Sequence, residues 1–192
     1  MKPVPRIPVC RLNHSLQLSN VQKPEISLTS PAELVFWDFE YAPPMIVSPA
    51  VSVDDAAYLM HVTNAKLKLV IDSRKRLSGI ISLRDIESVK VLATASAMGV
   101  GRQDLTVKDI MTPIVRLNGI HRKDLNEARI KDLLDILEFE GQHYLLILGD
   151  QNEVCGLVSA EEISHRLGRQ INIEPVVHNF SDVFNALNVS NH

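Results

Sequence analysis

An apolar strand-like run that leads into a capped polar turn occurs twice along the chain. In the first copy, Gly79 is followed by two isoleucines, then by Ser82 and, three residues later, Asp85. The second copy begins at Gly156, 77 positions further on, and carries a glutamate in place of the aspartate. Glycine permits close backbone approach in a strand, and the serine is a good helix N-cap, so each copy predicts a strand that runs into a helix. Two such copies predict an internal repeat.

Hydrophobic periodicity predicts the order strand–helix–strand–strand–helix for the first copy. Its elements are a strand at 45–47, a helix capped by Ser52, hairpin strands at 67–71 and 77–81 around the polar turn 72–76, and a helix from Leu83 towards Met98 that ends at Gly99. The first helix is expected to present one apolar face, formed by Ala56, Leu59, Met60 and Thr63.

The second copy repeats this order over a longer stretch. Its elements are a capped turn at 106–111 broken by Pro113, a strand at 114–117, a capping box at 124–127, hairpin strands at 143–148 and 153–158, and a helix from Ala160 to Gly168. Its first helix is expected to bury Ile130, Leu133, Leu134 and Leu137. The extra residues lie between Leu117 and Glu140.

The flanking segments predict shorter elements, and four parts result: an N-terminal extension at 1–43, repeats at 44–105 and 106–170, and a tail at 171–192. Residues 30–33 resemble a helix start, and residues 34–41 carry four of the nine aromatic residues. We favour a helical turn that packs its rings on the core, and a latch across a dimer interface stays open. Residues 180–187 fit a short amphipathic helix in the tail.

Composition excludes several classes of function. The 192 residues are 45% hydrophobic and 22% charged with a net charge of −3, which argues against nucleic acid and anionic membranes as partners. No apolar run approaches the roughly 20 residues of a membrane helix, and residues 1–20 lack a secretory pattern. Two cysteines provide no disulfide framework, so we expect a cytoplasmic protein.

Catalytic and metal-binding patterns fail the spacing test. The seven histidines form no His–Cys ligand motif, and residues 99–101 lack the third glycine of a phosphate loop. No Ser/His/Asp set can be identified as a triad. We therefore expect neither a metal site nor an enzyme.

Residues 107–112 resemble the opening of a cystathionine-β-synthase (CBS) domain, and residues 79–86 resemble its closing strand–helix signature. The resemblance covers about residues 43–168, a tandem pair known as a Bateman module. The segments 30–33 and 165–168 also resemble stand-alone proteobacterial members. The resemblance implies an α+β fold in which two βαββα repeats pack as a pseudo-twofold pair, flanked by N-terminal and C-terminal extensions.

The resemblance further implies a regulatory protein rather than a catalyst. Related modules dimerise, and clefts between their repeats bind AMP, ADP, ATP or S-adenosylmethionine. We therefore expect a homodimer that senses an adenine nucleotide or related adenosyl ligand and signals to an unknown protein partner. The alternative is a ligand-free scaffold for dimerisation or interaction.

The expected ligand-binding residues follow the family pattern in two sets. The first site comprises Ser82, Asp85, Arg84, Met45, Ile46, Lys66 and Lys68. A second, weaker site comprises Ser159, Glu162, Thr112 and Ile114. In the first site, the free N–H groups of the helix start and Ser82 would face phosphate, and Asp85 would accept from the ribose hydroxyls.

Both serine motifs have a purely structural interpretation, because Ser-x-x-Asp and Ser-x-x-Glu are capping boxes in proteins that bind nothing. By this interpretation Glu162 only caps its helix. A further hypothesis has Lys66 or Lys68, together with Arg84, neutralising a ligand phosphate. Its alternative places both lysines in solvent on an edge strand.

Overall fold

The computed structural model of the protein describes residues 24–174. The predicted tail helix at 180–187 lies outside the described residues. The first repeat contains β2 (Ile46–Val47), α1 (Val53–Val62), β3 (Leu67–Ile71), β4 (Leu77–Ser82), α2 (Leu83–Glu87) and α3 (Val89–Met98). The second contains α4 (Val107–Ile110), β6 (Asn118–His121), α5 (Arg122–Glu127), α6 (Ile130–Phe139), β7 (Tyr144–Leu148), β8 (Val154–Ser159) and α7 (Ala160–Leu167). Two short strands complete the sheets: β1 (Phe36–Asp38) precedes the first repeat, and β5 (Thr112–Pro113) lies between α4 and β6.

Each repeat forms a four-stranded sheet whose last strand comes from the segment that precedes the other repeat. The sheets have the orders β2-β3-β4-β5 and β1-β8-β7-β6. In both, the first strand of the repeat runs parallel to the next one, and the other pairs are antiparallel. This exchange makes the two halves pseudo-equivalent, and the predicted α+β pair of repeats is confirmed.

Three apolar clusters produce a helix–sheet–sheet–helix arrangement. One cluster lies between the first sheet and its helices, and a second lies between the other sheet and its helices. The third joins the two sheets through buried side chains of both repeats: Leu67, Leu69, Ile80, Leu146 and Leu157. The inner strands therefore bury both faces, which accounts for their nearly continuous apolar sequences.

Several predicted helix boundaries are confirmed. The Ser52 side chain accepts from the Asp55 N–H at the start of α1. Gly99 and Gly168 adopt left-handed conformations, with φ of 67° and 64°, at the ends of α3 and α7. Only glycine adopts this conformation without strain, so both helices end where the sequence predicts.

Two predictions for the second repeat are wrong. Residues 114–117 are not a strand: Ile114–Arg116 form a 3₁₀ turn, and the strand that pairs with β7 is β6. The capping box at 124–127 does not form, because Asp124 lies inside α5 and a break separates that helix from α6. The predicted apolar face of α6 is confirmed, since its four residues are all buried.

Three further predictions need correction. The helical turn near the N-terminus covers Ala32–Val35, but Phe36 and Trp37 lie in strand β1, and Phe39 and Tyr41 lie in the turn that follows it. The single helix predicted from Leu83 is divided at Ser88, which is extended and caps α3. On α1, Leu59 is exposed, while Val53 takes its place among the buried residues.

Candidate functional site

Two clefts lie at pseudo-equivalent positions between the repeats. The larger cleft, of about 540 Å³, is lined among others by Trp37, Met45, Lys66, Leu67, Ser159 and Glu162. The smaller cleft, of about 290 Å³, is lined among others by Ser82, Arg84, Asp85, Thr112, His143 and Tyr144. In the larger cleft, the Ser159 motif faces strand β1 and the start of β3 at Lys66 and Leu67. In the smaller cleft, the Ser82 motif faces strand β5 and the start of β7 at His143 and Tyr144.

This crossed arrangement differs from the predicted grouping of residues. Met45 and Lys66 were expected beside Asp85, but they line the larger cleft with Ser159 and Glu162. Thr112 was expected in the second site, and it lines the smaller cleft instead. Each cleft contains residues of both repeats, because strands β1 and β5, which are exchanged between the sheets, form one wall of each cleft.

Three other predicted residues do not line either cleft: Ile46, Ile114 and Lys68. Ile46 is 62% exposed on the short strand β2. Ile114 packs against the cluster between the sheets.

The Ser82 motif forms a complete capping box. The Ser82 hydroxyl accepts from the Asp85 N–H at 3.1 Å and donates to Asp85 Oδ2 at 2.5 Å. The same Oδ2 accepts from the Ser82 N–H at 3.3 Å, and Lys90 Nζ lies 3.6 Å from Oδ1. Both carboxylate oxygens of Asp85 therefore already have partners within the first repeat.

The Ser159 motif behaves differently. Its hydroxyl accepts from the Glu161 N–H at 3.2 Å, so the reciprocal box of the first copy is not repeated with Glu162. Glu162 lines the larger cleft and also an adjoining cavity of about 560 Å³ beyond Trp37. The predicted capping box between Ser159 and Glu162 therefore does not form.

The two lysines of the first hairpin occupy different environments. Lys66 Nζ lies 2.6 Å from Glu161 Oε1 in an exposed ion pair across the repeats. The hydrogen bond from Lys66 to Glu161, and the negative charges of Glu161 and Glu162, raise the pKa of Lys66. Lys68 is buried, with Nζ 3.8 Å from Met45 Sδ. Lys68 belongs to the inner strand β3, so the edge-strand alternative is wrong for this residue. Lys66 precedes β3 and is exposed, as that alternative expected, although it is paired with Glu161.

Arg84 and His143 make the matching contact on the other side. Arg84 Nη1 lies 3.3 Å from His143 Nε2 and 3.4 Å from Nδ1. Burial and then the Arg84 charge lower the pKa of His143, against the opposing effects of Asp85 and Glu161. Burial raises the pKa of the neighbouring Tyr144 to about 12, so its phenol stays neutral and can donate a hydrogen bond.

Sequence reasoning missed four residues of the clefts: Trp37, His143, Tyr144 and Glu161. The last three lie 77 positions after Lys66, Leu67 and Arg84, so the repeat spacing itself could have indicated them. Trp37 had no such signal because its role depends on the strand exchange.

The described residues contain no cluster of three or more His, Cys, Asp or Glu side chains that could hold a metal ion. Within the same part of the chain, no helix combines the length and apolar character that crossing a membrane requires.

The fold and its paired clefts define a tandem-repeat protein with sites between the repeats. Comparison with protein families supplies the class, since residues 39–90 match the model of the CBS domain. This match covers most of the first repeat, and the fold of the chain is that of a tandem CBS-domain protein. CBS-domain proteins are regulatory modules.

Individual proteins are similar to this chain over much of its length. An uncharacterised 17.7 kDa protein of Acidianus ambivalens is 29% identical over 123 residues, which cover 64% of this chain and 66%, just under two thirds, of the relative. A conserved uncharacterised protein from Pyrococcus horikoshii has a similar structure, with a TM-score of 0.54, 18% identity and coverage of 77% of this chain and 98% of its own. A CBS-domain protein from Agrobacterium tumefaciens has a TM-score of 0.52, 14% identity and coverage of 79% and 98%.

Proposed function

We propose that this protein is a regulatory module that binds an adenine nucleotide or related adenosyl ligand between its repeats and signals to a partner protein. The observation that carries the proposal is the larger cleft, whose walls come from both repeats. Its volume of about 540 Å³ lies within the roughly 300–1,000 Å³ typical of small-molecule sites. Apolar walls with a few polar groups at one end are the usual composition of such a site.

The residues of the larger cleft suit the parts of an adenosyl ligand. Trp37, Met45 and Leu67 provide flat and apolar surface for an adenine ring. Glu162 offers a carboxylate to ribose hydroxyls, and Ser159 adds a hydroxyl beside it. These groups belong to different repeats, so a ligand that contacts all of them links the two halves.

The geometry favours the larger cleft over the smaller one, which reverses the ranking expected from the sequence. The smaller cleft, about 290 Å³, lies at the lower limit of ordinary ligand sites, roughly 300 Å³. A ribose that bound Asp85 would also compete with the capping box and with Lys90.

Signalling requires that the ligand bind two arrangements of the repeats with different affinity. A ligand that contacts Glu162 of the second repeat and Met45 of the first would bind two arrangements of the repeats with different affinity. The reason is that a change in how the repeats pack would alter one of these contacts. The altered packing would then change a surface to which a partner protein binds.

A thermal-shift panel tests the proposal with AMP, ADP, ATP, S-adenosylmethionine and NAD. A ligand at about 100 times its dissociation constant should add roughly 2.7 kcal/mol of stability. Glu162→Ala should remove this ligand-dependent shift, whereas Glu138→Ala, at an exposed helical position away from the clefts, should retain it. No shift with any compound, or retention in Glu162→Ala with loss in Asp85→Ala, would contradict the proposed site.

A ligand-free scaffold is the second candidate, and exposed apolar side chains favour it. The helices of the first repeat expose several: Tyr58, Leu59, Val62, Val89 and Leu92. Exposed apolar side chains of this size are typical of interaction surfaces when they lie together. A concentration-dependent dimer in sedimentation, with no response to the ligand panel, would support the scaffold.

A further inference from the structure

The two clefts carry opposite charges at equivalent positions of the repeat. Glu161 lies 77 positions after Arg84, and His143 lies 77 positions after Lys66. The structure uses both pairs as contacts across the repeats, Lys66 with Glu161 and His143 with Arg84. At equivalent positions of the repeat, the larger cleft is therefore lined by the carboxylate of Glu161 and the smaller cleft by the guanidinium of Arg84.

The positive charge of the larger cleft is already paired. Among the described residues that line it, Lys66 is the single lysine or arginine, and its ammonium lies 2.6 Å from Glu161 Oε1. Two carboxylates, Glu161 and Glu162, line the same cleft. The cleft thus carries more fixed negative charge than positive charge.

The helix that begins at this cleft adds no attraction for an anion. Helix α7 begins after Ser159, and its N-terminus would ordinarily favour negative charge. Glu161 and Glu162 occupy its first turn, and their carboxylates already compensate the positive end of the helix.

We propose that the larger cleft selects an adenosyl ligand that carries no phosphate, such as a nucleoside or an adenosyl sulfonium, and that Glu161 sets this choice by holding Lys66. A phosphate could pair with Lys66 only by displacing Glu161, and it would then face two carboxylates. An uncharged or cationic substituent meets no such opposition. This inference rests on the proposed function, because it takes the larger cleft as the ligand site.

Trp37 makes the inference directly measurable. It is the single tryptophan of the sequence and lines the larger cleft and the adjoining cavity, so intrinsic fluorescence reports binding at either place. Titrations with adenosine, S-adenosylmethionine, AMP and ATP should show adenosine binding at least about tenfold more tightly than AMP in the wild-type protein. In Glu161→Gln, Lys66 is released, and the preference for adenosine should fall to about threefold or less.

Asp135→Asn is the matched control. Asp135 pairs with Lys131 at side-chain exposures of 56% and 60%, close to the 54% and 71% of Glu161 and Lys66. The substitution makes the same change in net charge, and neither residue lines the cleft. The ratio of adenosine to AMP affinity should stay at the wild-type value.

Three outcomes overturn the inference: equal affinity for AMP and adenosine in the wild-type protein, an unchanged ratio in Glu161→Gln, or the same change of ratio in Asp135→Asn. In each case a Trp37 response to any adenosyl ligand leaves the proposed function standing. Absence of both a fluorescence response and a thermal shift with all four compounds overturns the proposed function as well.

Discussion

At the scale of single residues, the glycines of the repeated motif mark where the strands of the two repeats exchange. Gly79 pairs with Pro113 of β5, and Gly156 pairs with Asp38 of β1. A Cβ at Gly79 would collide with the carbonyl oxygen of Thr112, and one at Gly156 would collide with backbone and ring atoms of β1. The sequence predicted close backbone approach at both positions but not which strand approaches.

Alanine at either glycine should destabilise the fold. We expect Gly79→Ala and Gly156→Ala each to lower the free energy of unfolding by about 1–3 kcal/mol, because the added methyl group meets backbone that cannot move independently. Urea unfolding measures the change. Gly101→Ala is the control, since its added Cβ would meet only the flexible Gln103 side chain. An equal loss of stability at Gly101 would contradict the collision argument.

Asp38 anchors the exchanged strand β1 to the second repeat. Arg122 Nη1 lies 2.6 Å from Asp38 Oδ2, and its guanidinium lies over the Phe36 ring, 4.6 Å from the centroid. Burial acts to raise the pKa of Asp38, but the hydrogen bonds from Arg122 and from the Glu40 N–H outweigh it and hold the pKa below 3.8. The carboxylate form is thus favoured by the folded state.

This contact predicts a specific acid sensitivity. A carboxyl group with a lowered pKa contributes stability above its unfolded pKa of about 3.9, and the contribution is lost as the pH falls through the folded value. Asp38→Asn should therefore lower stability at pH 7 and reduce the loss of stability below about pH 4. Urea midpoints from pH 7 to pH 3 measure this, with Asp150→Asn in an exposed turn as control. Parallel curves for Asp38→Asn and wild type would contradict it.

At the scale of elements, local signals predicted helix ends better than strand positions. The caps at Ser52, Gly99 and Gly168 depend on the backbone within one turn, and all three were confirmed. Strand β1 was predicted as a helical turn because its pairing with β8 joins residues more than 100 positions apart. No short-range pattern carries that information.

The extra length of the second repeat becomes an additional helix. Helix α5 lies between β6 and α6, where the first repeat has only a short connection between β2 and α1. The sequence places the extra residues of the second repeat between Leu117 and Glu140, but residues 124–127 were predicted as the start of the helix that is α6 in the structure. In the structure, Arg129 precedes α6, and its backbone N–H donates to Asp132 Oδ2 at 2.7 Å.

At the scale of the whole molecule, the exchange of strands determines which residues share a cleft. The tandem fold could be predicted from the repeat, and the candidate residues could be predicted from the resemblance to the CBS family. The partners of each residue could not, because the clefts combine the motif of one repeat with the hairpin start of the other. A pattern within one repeat contains no information about this crossing.

The contact between Arg84 and His143 predicts how the packing of the repeats depends on pH. Burial and the Arg84 charge lower the pKa of His143 from 6.5 in the folded state, while Asp85 and Glu161 oppose the shift. A histidine whose pKa is lower when folded binds its proton preferentially in the unfolded chain, so stability should decrease as the pH falls below about 6.5. Denaturant midpoints between pH 7.5 and pH 5 should show a smaller decrease for His143→Gln than for the wild-type protein.

Charge reversal provides a sharper form of this prediction. Arg84→Glu places a carboxylate opposite His143, as Glu161 lies opposite Lys66 at the equivalent position. The pKa of His143 should then rise from its wild-type position, while burial, the largest cause of its lowering, still acts on it. The loss of stability attributable to His143 as the pH falls should therefore be smaller in Arg84→Glu than in the wild-type protein, and it should be unchanged in His61→Gln, which leaves the contact intact. An unchanged loss in Arg84→Glu would show that His143 titrates independently of the contact between the repeats.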